Sequence, residues 1–171
     1  MTDGACRRAE IAEILSKAEA PVSAASLASK LGVSRQVIVG DIALLRASGA
    51  EITATPRGYI TGKSGGGLRR TVATIHNELA EMERELNIMV DNGCTVLDVV
   101  IEHAVYGQLT GELLLSSRHD VKQFMERISS EQAPPLSTLT GGIHLHTLLC
   151  PDEESFGRTV RELDEAGILF A

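Results

Sequence analysis

The sequence predicts an α+β protein in two parts: a winged helix-turn-helix over residues 1–62, then a two-layer α/β domain with a mainly antiparallel sheet over residues 68–171. Three observations predict it. Short amphipathic helical patterns that meet at a glycine and run into a hairpin pattern fill the first part. The run Gly62-Lys63-Ser64-Gly65-Gly66-Gly67 has the composition of a flexible linker, assigned to 63–67. Beyond it the patterns follow the order helix, strand, strand, helix, strand, helix, strand, which puts helices on one face of a sheet.

In the first part, Arg7 to Lys17 carries Ile11, Ile14 and Leu15 at helical spacing, and Pro21 stops the pattern. Ser23 caps a second helix, Ala24 to Leu31, and Gly32 supplies the tight turn. Ser34 caps a third helix, with Val37, Ile38, Ile42 and Leu45 on its apolar positions and Gly49 at its end. Glu51 to Ile60 reads as two short strands around a Pro-Arg-Gly turn, the wing.

A helix entering the major groove needs free polar side chains at its N-terminal end, and Ser34, Arg35 and Gln36 stand there. Arg and Gln are the residue types that grip guanine and adenine edges with two hydrogen bonds. Arg46 and Arg57 are candidates for flanking phosphates, which position a protein without reading sequence. The competing reading of this part is a three-helix domain that binds protein.

Charge divides the same way. Residues 1–62 hold seven basic and six acidic side chains, whereas residues 63–171 hold nine and 17, within an overall charge of −7. A polyanion would be met by the first part and repelled by the second. With 43% hydrophobic and 23% charged residues the composition is that of a folded protein. No apolar run is long enough to span a membrane, and Met1 to Ile11 does not read as a secretory signal. Cys6, Cys94 and Cys150 are odd in number and widely spaced. They predict no disulfide framework and fit a reducing cytoplasm, with Cys94 and Cys150 as small buried residues.

In the second part, Leu68 to Asp91 reads as one long amphipathic helix with Ile75, Leu79, Met82, Leu86 and Met89 on its apolar face. Strands follow over Val96 to Val105 and Leu109 to Leu115. A helix then runs through Val121, Phe124, Met125 and Ile128, followed by a strand from Ile143 to Leu149. Asp152 caps a helix through Phe156, Val160 and Leu163, and Ile168 to Phe170 is a short last strand.

All five histidines lie in this second part. On a strand, His144 and His146 project to one face with Leu145 opposite, an arrangement that suits a shared divalent cation when both rings are neutral. Such a pair also fits an exposed polar face. His76 is a candidate further ligand. On one continuous helix, Glu85, nine residues on, would share its face but lie about 13 Å along the axis. The two meet at one ion only if His76 precedes the regular helix or the helix bends. A metal-dependent enzyme is the competing class. Against it, the chain has no HExxH and no phosphate-binding glycine loop leading into a helix.

Four stretches together resemble the niacin-responsive transcriptional repressors, which join a winged helix-turn-helix to a three-histidine (3H) regulatory domain. They are Val33 to Ile42, Val99 to Gly107 with its Glu102-His103 pair, Leu136 to Thr147, and Pro151-Asp152-Glu153. Ala104 stands where the family has proline. The resemblance implies repression of NAD-biosynthesis or niacin-uptake genes, with nicotinate as co-repressor and nickel or zinc held by His76, Glu85, His144 and His146. His103 and Arg118 are candidates for the effector site, Arg118 because a guanidinium offsets a carboxylate. A homodimer on a palindromic double-stranded operator follows from the need to place two recognition helices about one helical turn apart. A repressor that senses the metal itself is the alternative, and an enzyme acting on a pyridine or nucleotide is a second.

Overall fold

Three helices and a hairpin form the first unit of the computed structural model, which describes residues 4–61, 67–131 and 134–171. Helices α1 (Gly4–Ser16), α2 (Ala24–Leu31) and α3 (Arg35–Ala47) precede strands β1 (Ile52–Thr55) and β2 (Gly58–Thr61). The expected caps are in place: the Ser23 hydroxyl accepts from Ser26 N and that of Ser34 from Val37 N. Gly32 ends α2 in the left-handed conformation, at φ 65°. Ile11, Leu15, Leu27, Ile38, Ile42 and Ile52 close one small core. Asp41, buried on α3, receives the Arg7 and Arg8 guanidinium groups of α1 and so fixes the roll of α3 against α1.

The hairpin is tied back to this bundle. Val22 and Tyr59 exchange backbone hydrogen bonds, each 2.8 Å. A Cβ on Gly58, whose φ is 137°, would lie 2.3 Å from Val22 O, so only glycine permits this approach.

The chain divides into two compact units, with the boundary between residues 65 and 66. The linker read over 63–67 lies, apart from Gly67, outside the described residues.

The second unit contains β3 (Leu68–Ile75), α4 (Leu79–Asp91), β4 (Thr95–His103), β5 (Gly107–Leu115), α5 (Arg118–Glu131), a 3₁₀ turn (Leu136–Thr140), β6 (Ile143–Cys150) and α6 (Glu153–Glu165). The sheet order is β3-β6-β4-β5, antiparallel throughout. The sheet face under the helices contributes Val72, Val96, Leu115, Leu148 and Cys150 to a core completed by Leu86, Met89, Val121 and Leu163.

Three expectations are corrected here. Leu68–Ile75 is a strand, not the first half of a long helix. The β-branched residues Thr71, Val72, Thr74 and Ile75 favour extended backbone, and burial alternates along the segment, with Val72 and Thr74 inside. The helix begins only at Leu79, behind a capping box in which Glu78 and Glu81 each answer the other's backbone. The expected last strand is reduced to a bridge between Thr74 and Leu169. Cys94 and Cys150 are buried as expected but form a disulfide. The antiparallel register pairs Thr95 with Leu149, which brings the neighbouring cysteines side by side at a Cα separation of 4.2 Å.

A candidate metal centre and a candidate nucleic-acid interface

Because β3 ends at Ile75, His76 sits in the turn ahead of α4 rather than on it. Glu85 then lies only two turns inside the helix and faces the sheet, fully buried at 0% exposure. Antiparallel pairing of β3 with β6 sets Thr74 opposite His144 and Val72 opposite His146, so both imidazoles point under the helices. The three rings are packed edge to face, with centroids 4.7 Å apart for His76–His144 and 4.9 Å for His144–His146.

One carboxylate oxygen is the focus. Glu85 Oε2 lies 2.7 Å from His76 Nε2, 3.3 Å from His144 Nε2 and 3.5 Å from His146 Nε2. The ligand atoms of His76, Glu85 and His144 all lie within 4.8 Å of one another. The structure therefore brings together the four residues singled out as ligands, with His146 at the margin of the group.

Backbone carbonyls orient two of the rings. His144 Nδ1 donates to Gly142 O at 2.8 Å and His146 Nδ1 to Asp98 O at 2.6 Å. A carbonyl only accepts, so Nδ1 carries the proton in each, and Nε2 faces Glu85, able to donate to it when the ring is charged or to ligate an ion when the ring is neutral. The Asp98 carbonyl reaches His146 because the β4 register slips between Val96 and Val100. Across that slip the Asp98 side chain accepts from Thr147 N at 3.0 Å. Asp98, Gly142 and Thr74, whose hydroxyl is 3.2 Å from His144 Nε2, are supporting residues that sequence reading missed. A strand slip leaves no pattern in the sequence.

The donor set fits a divalent cation. Three imidazole nitrogens converge on one carboxylate oxygen, while Glu85 Oε1 is buried with no hydrogen-bond partner among the described residues. A buried oxygen without a partner is costly, and an ion among neutral imidazoles would supply one. Without an ion the electrostatics are those of a buried ion pair. Burial pushes the Glu85 carboxyl up, but the charge on His146 and hydrogen bonds from His144, His146 and His76 outweigh it and hold the group well below the carboxylate range. Burial pushes His146 down, but the Glu85 charge and hydrogen bond outweigh it and hold the ring above its ordinary value of 6.5.

The sign of the pH dependence follows. A raised imidazole contributes stability that is complete below its unfolded value and lost as pH rises through the folded one; the lowered Glu85 carboxyl stays ionised across that window. Chelator-stripped protein is therefore expected to lose thermal stability as pH rises past the ordinary imidazole value of 6.5. Cation-loaded protein should gain it, because ligand imidazoles must be neutral. Melting temperature against pH, with and without chelator, checks this; parallel curves would contradict it.

The two effector candidates stand apart from the cluster. Arg118 is exposed and forms a two-pronged pair with Asp91, at the opposite end of α4 from His76, with Nε 2.7 Å from Oδ1. His103, at the end of β4, accepts at Nδ1 from Val105 N and Tyr106 N and packs its ring 5.0 Å from that of Tyr106.

In the first unit, Arg35 and Gln36 are exposed on the first turn of α3, and Val39 and Leu44 farther along the helix are 40% and 54% exposed. The outward side of α3 is thus an open surface carrying a guanidinium and an amide at its leading end. The Ser34 hydroxyl is engaged in the cap. Arg46 donates from Nε to Ile52 O at 2.8 Å, bracing the start of the wing. Arg57 is half-buried in the hairpin turn, where its amide donates to Thr55 Oγ1.

Comparison with known proteins finds two domain matches along the chain. An HTH domain matches residues 7–60, and a 3H domain matches residues 69–171. A protein of Thermotoga maritima named as a probable transcription repressor, NiaR, is 45% identical over 163 residues, covering 95% of this chain and 93% of its own length. The transcription repressor NadR of Bacillus subtilis is 42% identical over 170 residues, covering 97% of this chain and 94% of its own.

Proposed function

The chain belongs to the family of transcription repressors that join a helix-turn-helix domain to a 3H domain, and from that premise we propose that it represses genes of NAD biosynthesis or niacin uptake, with nicotinate as co-repressor and a divalent cation in the second unit. Its relatives mark it as a DNA-binding regulator rather than an enzyme. The single observation that carries the proposal is Glu85: a fully buried carboxylate with three imidazoles on one oxygen and, among the described residues, no hydrogen-bond partner on the other.

His76, Glu85, His144 and His146 hold the cation, nickel or zinc by the nitrogen-rich donor set. An ion held there would supply positive charge that offsets Glu85. The chain's own residues do the rest. Gly142 O and Asp98 O hold two rings in register. Arg35 and Gln36 read base edges, the α3 cap sets the helix that carries them, and Arg46 and Arg57 stand toward phosphates at the wing. The active form is a homodimer on a palindromic operator in the cytoplasm. No helix among the described residues is long and apolar enough to cross a membrane.

Coupling requires that the effector bind more tightly to the operator-competent geometry than to the other. The test titrates operator binding with nicotinate at fixed cation, then with cation at fixed nicotinate, in constant salt. Nicotinate is expected to strengthen operator binding at saturating cation. A response to the cation alone, with none to nicotinate, would instead establish a repressor for which the ion is the signal.

A further inference from the structure

Cys94 and Cys150 play no part in the function proposed above. Both are 1% exposed and joined as a disulfide, while Cys6 is exposed and free on α1 in the first unit. A chain that works on DNA in the cytoplasm meets a reducing medium, where a disulfide is typically transient and serves redox sensing or catalysis. The second unit does not depend on the bond for a core. The cluster that holds both cysteines also holds Met89, Val96, Leu148 and Leu163, each fully buried.

The site houses both redox states. Thr159, buried on α6, donates its hydroxyl to Ser155 O at 2.9 Å, and its Oγ1 lies 3.7 Å from Cys94 Sγ. A Cys94 thiol released by reduction therefore finds an acceptor already in place. The pair also stands at the end of the sheet, each cysteine next to an exposed residue, Gly93 or Pro151. Fraying of these strand ends brings the sulfurs to solvent.

The bond braces the frame of the histidine cluster. On the cysteine side, β4 pairs with β6 at Thr95–Leu149 and Val96–Leu148 before the register slips, and within that slip the Asp98 carbonyl holds His146. Cys94 also closes the end of α4, its N–H donating to Met89 O at 3.1 Å. The disulfide thus links the end of the helix that carries Glu85 to the strand that carries His144 and His146.

We propose that Cys94 and Cys150 form a reversible thiol–disulfide couple, and that its oxidised form holds the cation at the histidine cluster more firmly than its reduced form. The cytoplasmic setting and the cation rest on the function proposed above, whereas the thiol chemistry stands apart from it. The oxidant is a peroxide. One thiolate attacks a peroxide oxygen and the O–O bond breaks, giving a sulfenic acid and a water. The second thiol then displaces the sulfenic oxygen as water, so two thiols and one peroxide give the Sγ–Sγ bond and two waters. A dithiol reverses this: one of its thiolates attacks a cysteine sulfur, and the other closes the reductant's own disulfide and frees both cysteines.

The experiment treats the folded full chain with hydrogen peroxide or with dithiothreitol, without denaturant, and then removes the reagent. Free thiols are counted by intact mass after acid quenching, unfolding and alkylation, and zinc affinity is measured against a competing chelator. Peroxide-treated chain is expected to show Cys6 alone as a free thiol and dithiothreitol-treated chain all three cysteines, with the same circular dichroism. The oxidised form should hold zinc at least about fivefold more tightly than the reduced form. Cys150→Ala should bind zinc like the reduced chain under both treatments, and Cys6→Ser should cycle like wild type. A bond that survives dithiothreitol in the folded chain, or whose reduction unfolds the second unit, is a permanent staple and would overturn reversibility. Free Cys94 and Cys150 after peroxide would overturn the bond itself. Equal zinc affinity in the two forms would overturn the coupling and leave the couple. No zinc binding to either form would overturn the cation of the proposed function and the coupling with it, while the thiol counts still decide the couple.

Discussion

Replacing His144 and His146 together by alanine is expected to take the chain from about one bound divalent cation to none. His144 sits within 4.8 Å of the other candidate ligand atoms, and His146 flanks it from the same strand face. The variant leaves His76 and Glu85, too few ligands for a closed site. The fold should survive, because the large apolar core beneath the helices is built from other residues of the same sheet. Elemental analysis of the purified variant, beside its circular dichroism, checks both halves. Full cation content in a folded double variant would remove both histidines from the site.

Arg35→Ala is expected to weaken operator binding by about 1–3 kcal/mol and to relax preference at one base pair of each half-site. Arg35 is exposed on the first turn of α3, clear of the core that holds Ile38 and Ile42. Ser34→Ala should behave differently. Its hydroxyl caps the helix, so the loss is about 1 kcal/mol of stability with base preference unchanged. Fluorescence anisotropy at constant salt, on the operator and on single-base variants of it, separates the two. Unchanged base preference in Arg35→Ala would show that Arg35 does not read a base.

Much of this architecture was legible in the sequence where local chemistry decides structure. Ser23 and Gly32 bound α2 as read, Ser34 and Asp152 cap α3 and α6, and the Pro-Arg turn makes the wing hairpin. What was misread depended on pairing. The apolar spacing of α4 extended backward over Leu68–Ile75 without a break, because the helix is capped by Glu78 rather than by a short polar side chain. That error also separated His76 from Glu85 by about 13 Å along a helix that does not exist, when the strand-to-helix turn brings them to 2.7 Å. The His-x-His spacing placed His144 and His146 on one face correctly, since strand alternation is local. The Cys94–Cys150 bond, the Asp98 carbonyl at the slip in β4 and the Gly142 carbonyl all arise from register between distant strands and loops, which neighbouring residues do not encode.

Under the proposed function, the cluster in the second unit governs how firmly the first unit holds DNA. The most direct measurement is operator affinity of the His144→Ala, His146→Ala variant across a nicotinate titration, beside cation-loaded wild type. The variant is expected to bind operator like unliganded wild type and to stay there at every nicotinate concentration. A variant that still tightens on the operator with nicotinate, to the same extent as wild type, would contradict it.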